Sequence, residues 1–384
     1  MNHKKRKDRV KPKVFHEAGI SLLFLLAVVG VMVLVARDFR RMWQPEMLHP
    51  SPALTRILHL HDFHAPLAGT RGDAEIYCFE SGQSGGKILV LGGTHPNEPA
   101  GFVAAALLVE NLQVRTGSVY VIPRANSSAF THTEPQEASP EYFTIPGKNG
   151  PRTFRFGSRF TNPIDQWPDP DIYLHYPSGQ ELAGSETRNL NRSYPGKPDG
   201  SLTEQIAYAI VQFIKGEKID LAFDLHEASP EYPVVNAIVA TESSQDIATE
   251  AVLELAFENL HYSLEPSPHN FRGLSHREWE NFTGAKPILM ETANPIQGRL
   301  RGRTDARLIL SGWDRMYLKA ARLGILSVPY DSTGLPLKLR VGRHLEAFAK
   351  IVEVFSRHYP DRAVQLDGIP SYQTLMAKGL REYF

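Results

Sequence analysis

The stretch from Lys87 to Gly101, KILVLGGTHPNEPAG, presents an imidazole and a carboxylate, His95 and Glu98, just after an apolar run, Ile88 to Leu91, and the pair Gly92 and Gly93. A neutral imidazole and a carboxylate supply two of the three protein ligands of a catalytic zinc, whose fourth position is left for water. A third ligand candidate is His226, which follows the apolar run IDLAFDL (residues 219–225). Asp224, two residues earlier, is placed to orient an imidazole from behind, as metal-bound histidines require. Glu291 closes another apolar run, KPILME; beside a metal-activated water it would act as general base and pass the proton on to a leaving amine. In TRNLNRSYPG, Asn191 beside Arg192 reads as a carboxylate receptor, the guanidinium fork taking both oxygens and the amide adding a donor. Taken singly, each has a plainer reading: a loop pair, a core histidine, an ion-pair partner, a solvated turn. The set together favours a site.

These residues need strands that deliver them to one edge. Ile88–Leu91 reads as a buried strand, Pro99–Leu112 as a helix with proline in its first turn, and Ser118–Pro123 as a second strand, which is the βαβ pattern of a parallel sheet. Ser201–Lys215 is predicted helical with Thr203 as its cap, followed by strands over Ile219–Leu225, Asn236–Ala240 and Lys286–Glu291 and a helix over Ser243–Leu260. The predicted fold is α/β, a mixed and mainly parallel sheet flanked by helices, with the candidate residues at carboxyl ends of strands, where open α/β sheets bind ligands. The segment SGQSGGK (residues 81–87) has the wrong glycine spacing for a phosphate loop and precedes its strand, so it reads as a turn.

The chain has 384 residues and a formal net charge of +0, which excludes a broadly basic nucleic-acid footprint. A single cysteine, Cys78, excludes an internal disulfide. Ala18–Ala36 has no charged residue and is long enough, as a helix of roughly 28 Å, to span the hydrocarbon core. The flank ahead of it (Lys4, Lys5, Arg6, Lys7, Arg9, Lys11, Lys13) is more basic than the one behind (Arg37, Arg40, Arg41). The positive-inside bias then keeps the amino terminus cytoplasmic and puts the rest across the membrane. An uncleaved anchor is favoured over a cleaved signal peptide, because the run is long and no small-x-small site follows it. The expected organisation is a basic tail (1–17), an anchor (18–36), a linker (37–74), a catalytic domain (75–325) and a helical carboxyl-terminal extension (326–384). His59, His61 and His64 alternate in the linker and read as surface or packing histidines, with a metal role as the alternative. Residues 126–185 are rich in Pro, Gly and aromatics without a clear period, and read as an ordered excursion over the site. Arg299, Arg301 and Arg303 read as a solvated cluster, with an anionic substrate or a lipid surface as the alternative.

The order GGTHPNEPAG, NLNRSYPG, DLHEA, ILMETANP resembles the succinylglutamate desuccinylase/aspartoacylase family of the zinc carboxypeptidase clan, over residues 87–294. That resemblance implies one zinc ion held by His95, Glu98 and His226, a substrate carboxylate held by Asn191 and Arg192, and Glu291 as general base and proton shuttle. The family's carbonyl-polarising arginine is not fixed by a motif; Arg188 and Arg124 are the candidates, with Arg188 preferred. The chain departs from the family pattern at Pro96, where glycine is usual, and at Asn189, where aspartate is usual. Helical runs over Thr304–Leu323 and Arg340–His358 stand where aspartoacylases carry a small β domain. The expectation is a membrane-anchored zinc hydrolase cleaving an amide bond in a carboxylate-bearing small molecule or peptide. The alternatives are an esterase, or a binding protein that kept the fold and lost the chemistry.

Overall fold

The computed structural model describes residues 11–133 and 142–384. Most of the expected basic tail therefore lies outside the described residues. Two compact units divide at Pro45/Glu46.

The first unit is a helix, α1 (Lys11–Met42), ending on Arg40 and Arg41. Its side chains from Glu17 to Val35 are exposed. The stretch His16–Met42 is long and apolar enough to cross a membrane, with a mean hydropathy of 2.8.

The second unit is built on strands β1 (Arg56–His59), β2 (Glu75–Glu80), β3 (Lys87–Leu91), β4 (Gln113–Thr116) and β5 (Ser118–Ile122), with helix α2 (Pro99–Asn111) between β3 and β4. Two short hairpins follow, β6 (Tyr142–Ile145) with β7 (Arg152–Arg155), and β8 (Ile172–Leu174) with β9 (Glu181–Ala183). Then come α3 (Leu202–Glu217), β10 (Leu221–Ala228), β11 (Ala237–Ala240), α4 (Gln245–Phe257), β12 (Ser263–Pro266), α5 (Ser275–Phe282) and β13 (Lys286–Ala293). The chain closes with α6 (Ala306–Ser311), α7 (Arg315–Arg322), α8 (Leu337–His358), β14 (Gln365–Asp367) and α9 (Tyr372–Lys378).

Eight strands form one sheet in the order β1-β2-β5-β3-β10-β13-β11-β12. Its centre, β5-β3-β10-β13, is parallel, and antiparallel pairs occur at β1–β2, β2–β5 and β13–β11. The predicted mixed, mainly parallel sheet is what the chain forms. Alternation along each strand sends side chains to two layers. Phe223, Ile288 and Ile238 pack with α2, α4 and α8, whereas Leu89, Leu91 and Ala222 pack with α3 and Trp279 of α5.

Several boundaries differ from the sequence reading. The segment read as a linker joins the second unit from Glu46 onward, and Arg56–His59 is an edge strand with too short an apolar alternation to stand out. Strand β10 runs on through Ala228, so His226 lies within a strand and not beyond its end. Helix α3 is capped by Ser201, reciprocally with Glu204, and not by Thr203, whose hydroxyl bonds Gln166 instead. The single helix read over Thr304–Leu323 is two, broken at Gly312, which takes φ 59° against the Leu335 carbonyl. The stretch read as an extension packs into the core: α8 contributes Val341, Leu345 and Phe348 to the layer over the sheet. Its Arg340 makes a fully buried ion pair with Glu227 at 2.5 Å.

Candidate metal centre and the cleft beside it

Three strands deliver the candidate residues. β3 ends in the turn that carries His95 and Glu98, β10 carries Asp224 and His226, and β13 carries Glu291 directly beside His226 in register. Gly101 permits this arrangement. A Cβ there would stand 2.3 Å from the Leu225 carbonyl oxygen, so only glycine lets the first turn of α2 lie against β10. Glu98, at the N-cap of α2, is thereby brought onto His226.

The geometry is tight. His95 Nδ1 lies 2.9 Å from Glu98 Oε1 and His226 Nδ1 lies 2.9 Å from Glu98 Oε2. One ligand atom from each of the three residues falls within 4.8 Å of the others, and the side chains are 1–3% exposed. The outward nitrogens are also held. His95 Nε2 bonds Asn189 Oδ1 at 2.8 Å, and His226 Nε2 faces Asp224 Oδ2 at 3.0 Å. Asn189 Oδ1 is identified as the acceptor because its amide nitrogen donates to Glu186 at 2.6 Å and its oxygen also receives the Asn191 backbone N–H. His95 Nε2 must then carry the proton. In the neutral ring this leaves the Nδ1 lone pair pointing at a carboxylate, acceptor to acceptor. Such a pair calls for a cation between the two, and the nitrogen–oxygen set suits zinc. The residues present therefore fit the metal.

The charges are arranged accordingly. Burial would raise the Glu98 carboxyl, but the two imidazoles outweigh it and hold the group well below its ordinary range. Burial, with the Arg159 charge, pushes His95 down to about 4. His226 is raised, because Asp224 and Glu98 outweigh the burial that would lower it. Burial pushes Glu291 up to about 8, and its Oε2 is buried without a hydrogen-bond partner.

A cleft of about 820 Å³ opens beside this cradle, lined among others by His95, Glu98, His226, Glu291, Asn191 and Arg192. Arg192 stacks on Phe271 at 4.6 Å and is pushed down to about 10, chiefly by burial. Asn191 Oδ1 accepts from the Ser275 backbone N–H, which leaves its amide nitrogen as the donor.

The arginine assignment needs correction. Arg188 is held away from the cleft by a two-point bond to Asp169 (2.7 and 3.0 Å) and a bond to the Thr161 carbonyl. Arg124 pairs with Glu46 and stacks on Phe130. Besides Arg192, the arginine lining the cleft is Arg159, 3.5 Å from Glu98 and 29% exposed. It comes from the excursion, whose described part also buries Phe143, Phe154 and Phe156 in the core. Arg159 lies far from any strand motif, so spacing gave no signal for it. His276 was also missed: on α5, 3% exposed, lining the cleft with neither ring nitrogen bonded, and pushed by burial down to about 3.

Elsewhere, His61 bonds Asp73 at 2.6 Å and stacks on His59, a partly exposed cluster also within metal-ligand reach. His64 contacts Gln205. Arg301 bonds Gly298 and Thr304, while Arg299 and Arg303 are exposed.

Residues 84–268 match the profile of the succinylglutamate desuccinylase/aspartoacylase catalytic domain. The match covers just under half of the chain and marks that stretch as similar to this family's catalytic domain. Among solved structures, the chain is similar to a succinylglutamate desuccinylase from Silicibacter sp. TM1040, at 18% identity and TM-score 0.36 over 59% of this chain and 55% of that one. It is similar to the product-bound ectoine utilization protein EutE (DoeB) from Ruegeria pomeroyi, at 23% identity and TM-score 0.38 over 65% and 64%. It is also similar to the tripeptide-bound cell shape determinant Csd4 from Helicobacter pylori, at 14% identity and TM-score 0.43 over 76% and 55%. The chain thus spans between 55% and 64% of the length of these three proteins. No curated protein matches the sequence.

Proposed function

We propose that the second unit of this chain belongs to that family and is a zinc-dependent hydrolase of an amide bond in a carboxylate-bearing substrate. The observation that carries this reading is the facing of two lone-pair acceptors, His95 Nδ1 and Glu98, with the outward nitrogen of that ring already fixed as a donor. When bound, a zinc ion supplies Lewis acidity and lowers the pKa of a water molecule to about 7.

The protein's own residues do the rest. Asn189 and Asp224 fix the ring orientations of His95 and His226. Arg192, with the Asn191 amide, takes the substrate carboxylate and so sets the amide bond in register with the cradle. Arg159 donates to the carbonyl oxygen as negative charge develops there, the role the sequence reading gave to Arg188. Glu291, with its buried unpartnered Oε2, accepts the proton of the attacking water and returns it to the leaving amine. Helix α1 serves as an uncleaved membrane anchor, with the basic flank cytoplasmic and the catalytic unit on the opposite side.

The test combines metal analysis with a panel of acyl-amino acids and peptides. Zinc at one per chain, turnover abolished by a chelator and restored by zinc supports the reading. Glu291→Gln should keep zinc bound while activity falls by roughly 10²-fold or more. Full activity of the zinc-free protein, or of that variant, overturns it.

A further inference from the structure

The cleft continues beyond the catalytic residues, and the sheet register shows what floors it. Leu289 pairs with Val239, and Val239 with Glu265, so these three side chains form one row across β13, β11 and β12. They lie on the same face as Glu291, two residues farther along β13. All four line the cleft. The row therefore leads from the general-base candidate over two aliphatic side chains to a carboxylate. With strands about 4.8 Å apart, Glu265 stands two intervals, roughly 10 Å, to the side of the strand of Glu291.

The cations near Glu265 in the sequence are engaged elsewhere. Arg277 pairs with Glu242 and Glu280, His269 with Glu242, and Arg272 with Glu278. Among the described residues none pairs with Glu265. The facing wall carries His276, whose buried and unbonded ring nitrogens offer one donor and one acceptor to whatever fills this space. An apolar trough with an uncompensated carboxylate at its far end and an unmet imidazole on its side suits an aliphatic stem with a cationic head. A short side chain would not reach across two strands, and an acidic one would meet Glu265 with like charge.

We propose that the amino acid whose carboxylate is taken by Asn191 and Arg192 carries a long cationic side chain, of lysine, ornithine or arginine type, lying over Leu289 and Val239 with its charged end at Glu265. This rests on the hydrolase reading above and names the substrate class of the same site.

The experiment uses the full chain loaded with zinc and three series of Nα-acyl amino acids (acetyl, succinyl and alanyl), each ending in lysine, norleucine or glutamate. The expected order of kcat/KM is lysine above norleucine by about tenfold, with glutamate lowest. Glu265→Gln should bring the lysine and norleucine values together, and Glu265→Lys should move glutamate above lysine. Equal values for lysine and norleucine in the parent protein, or an unchanged ratio in Glu265→Gln, overturns the assignment while leaving the hydrolase standing. No turnover of any substrate, with zinc bound, overturns the hydrolase reading and this assignment with it.

Discussion

The metal cradle and the facing wall of the cleft are built on opposite principles. In the cradle His95 is bonded through both ring nitrogens and His226 through Nδ1, with its Nε2 3.0 Å from Asp224 Oδ2, and the ligands come from the turn between β3 and α2 and from the central strand β10. The wall is assembled from loops and a short helix and keeps polar atoms without protein partners, notably on His276 and on Glu291 at the boundary. Buried polar groups are normally satisfied. Groups left unmet in a cleft therefore mark where the partner comes from outside the chain. The cradle is arranged for an ion, and the wall for a molecule that arrives and leaves.

The largest effect should come from breaking the cradle itself. Glu98→Ala removes the carboxylate shared by both imidazoles, and zinc content and turnover should both fall to background. Metal analysis checks the first and the chelator-controlled assay the second; a variant that holds zinc one to one would show that Glu98 is not a ligand. The wall should behave differently. Arg159→Ala is expected to lose roughly 10²–10³-fold in kcat with zinc retained. Arg188→Ala, which breaks the bond to Asp169 outside the cleft, should lower Tm and leave kcat per folded molecule close to the parent value. The reverse result would return the catalytic arginine to the position expected from the sequence.

That contrast also explains what the sequence could disclose. His95, Glu98, His226 and Glu291 were legible because each follows or closes an apolar run of a central strand, and sheet topology brings the carboxyl-terminal parts of such strands together. The sheet itself was legible for the same reason. Arg159 was not, because its position depends on how the excursion folds back through Phe143, Phe154 and Phe156, and no periodic pattern encodes that path. Arg188, adjacent to the Asn189–Arg192 motif, looked better placed by proximity along the chain, but Asp169 holds it outside. The carboxyl-terminal helix read as an appendage because the partner of Arg340, Glu227, is 113 residues away. Strand β1 and the packing of residues 46–74 went unseen because a four-residue edge strand carries too little alternation to register.

Between cradle and wall stands Asn189, which fixes the His95 ring on one side and bonds Glu186, near Arg192, on the other. Asn189→Leu keeps the bulk and removes both bonds. Zinc affinity should weaken by about 10–100-fold, as for other partners of metal-bound histidines. KM for the carboxylate substrate should rise in the same variant if Glu186 then draws Arg192 away. Measuring the zinc Kd and KM separately would show whether the two regions are coupled through this one amide.

The smallest expected effect probes how exactly the cradle is closed. A Cβ at Gly101 would fall 2.3 Å from the Leu225 carbonyl oxygen, a backbone atom held in the sheet. Neither atom is the end of a flexible side chain, so Gly101→Ala must move α2 away from β10, at a cost of about 1–3 kcal/mol. The helix begins at Pro99, directly after Glu98, so the same movement draws the carboxylate back from His226 while leaving His95, on the preceding turn, closer to its place. Stability and zinc affinity should therefore fall together in this variant, although no ligand and no orienting residue has changed. A loss of Tm with an unaltered zinc Kd would mean that the approach of α2 serves packing alone, and that the Glu98–His226 contact is held by the bond from the Glu227 backbone N–H to Glu98 at 3.0 Å.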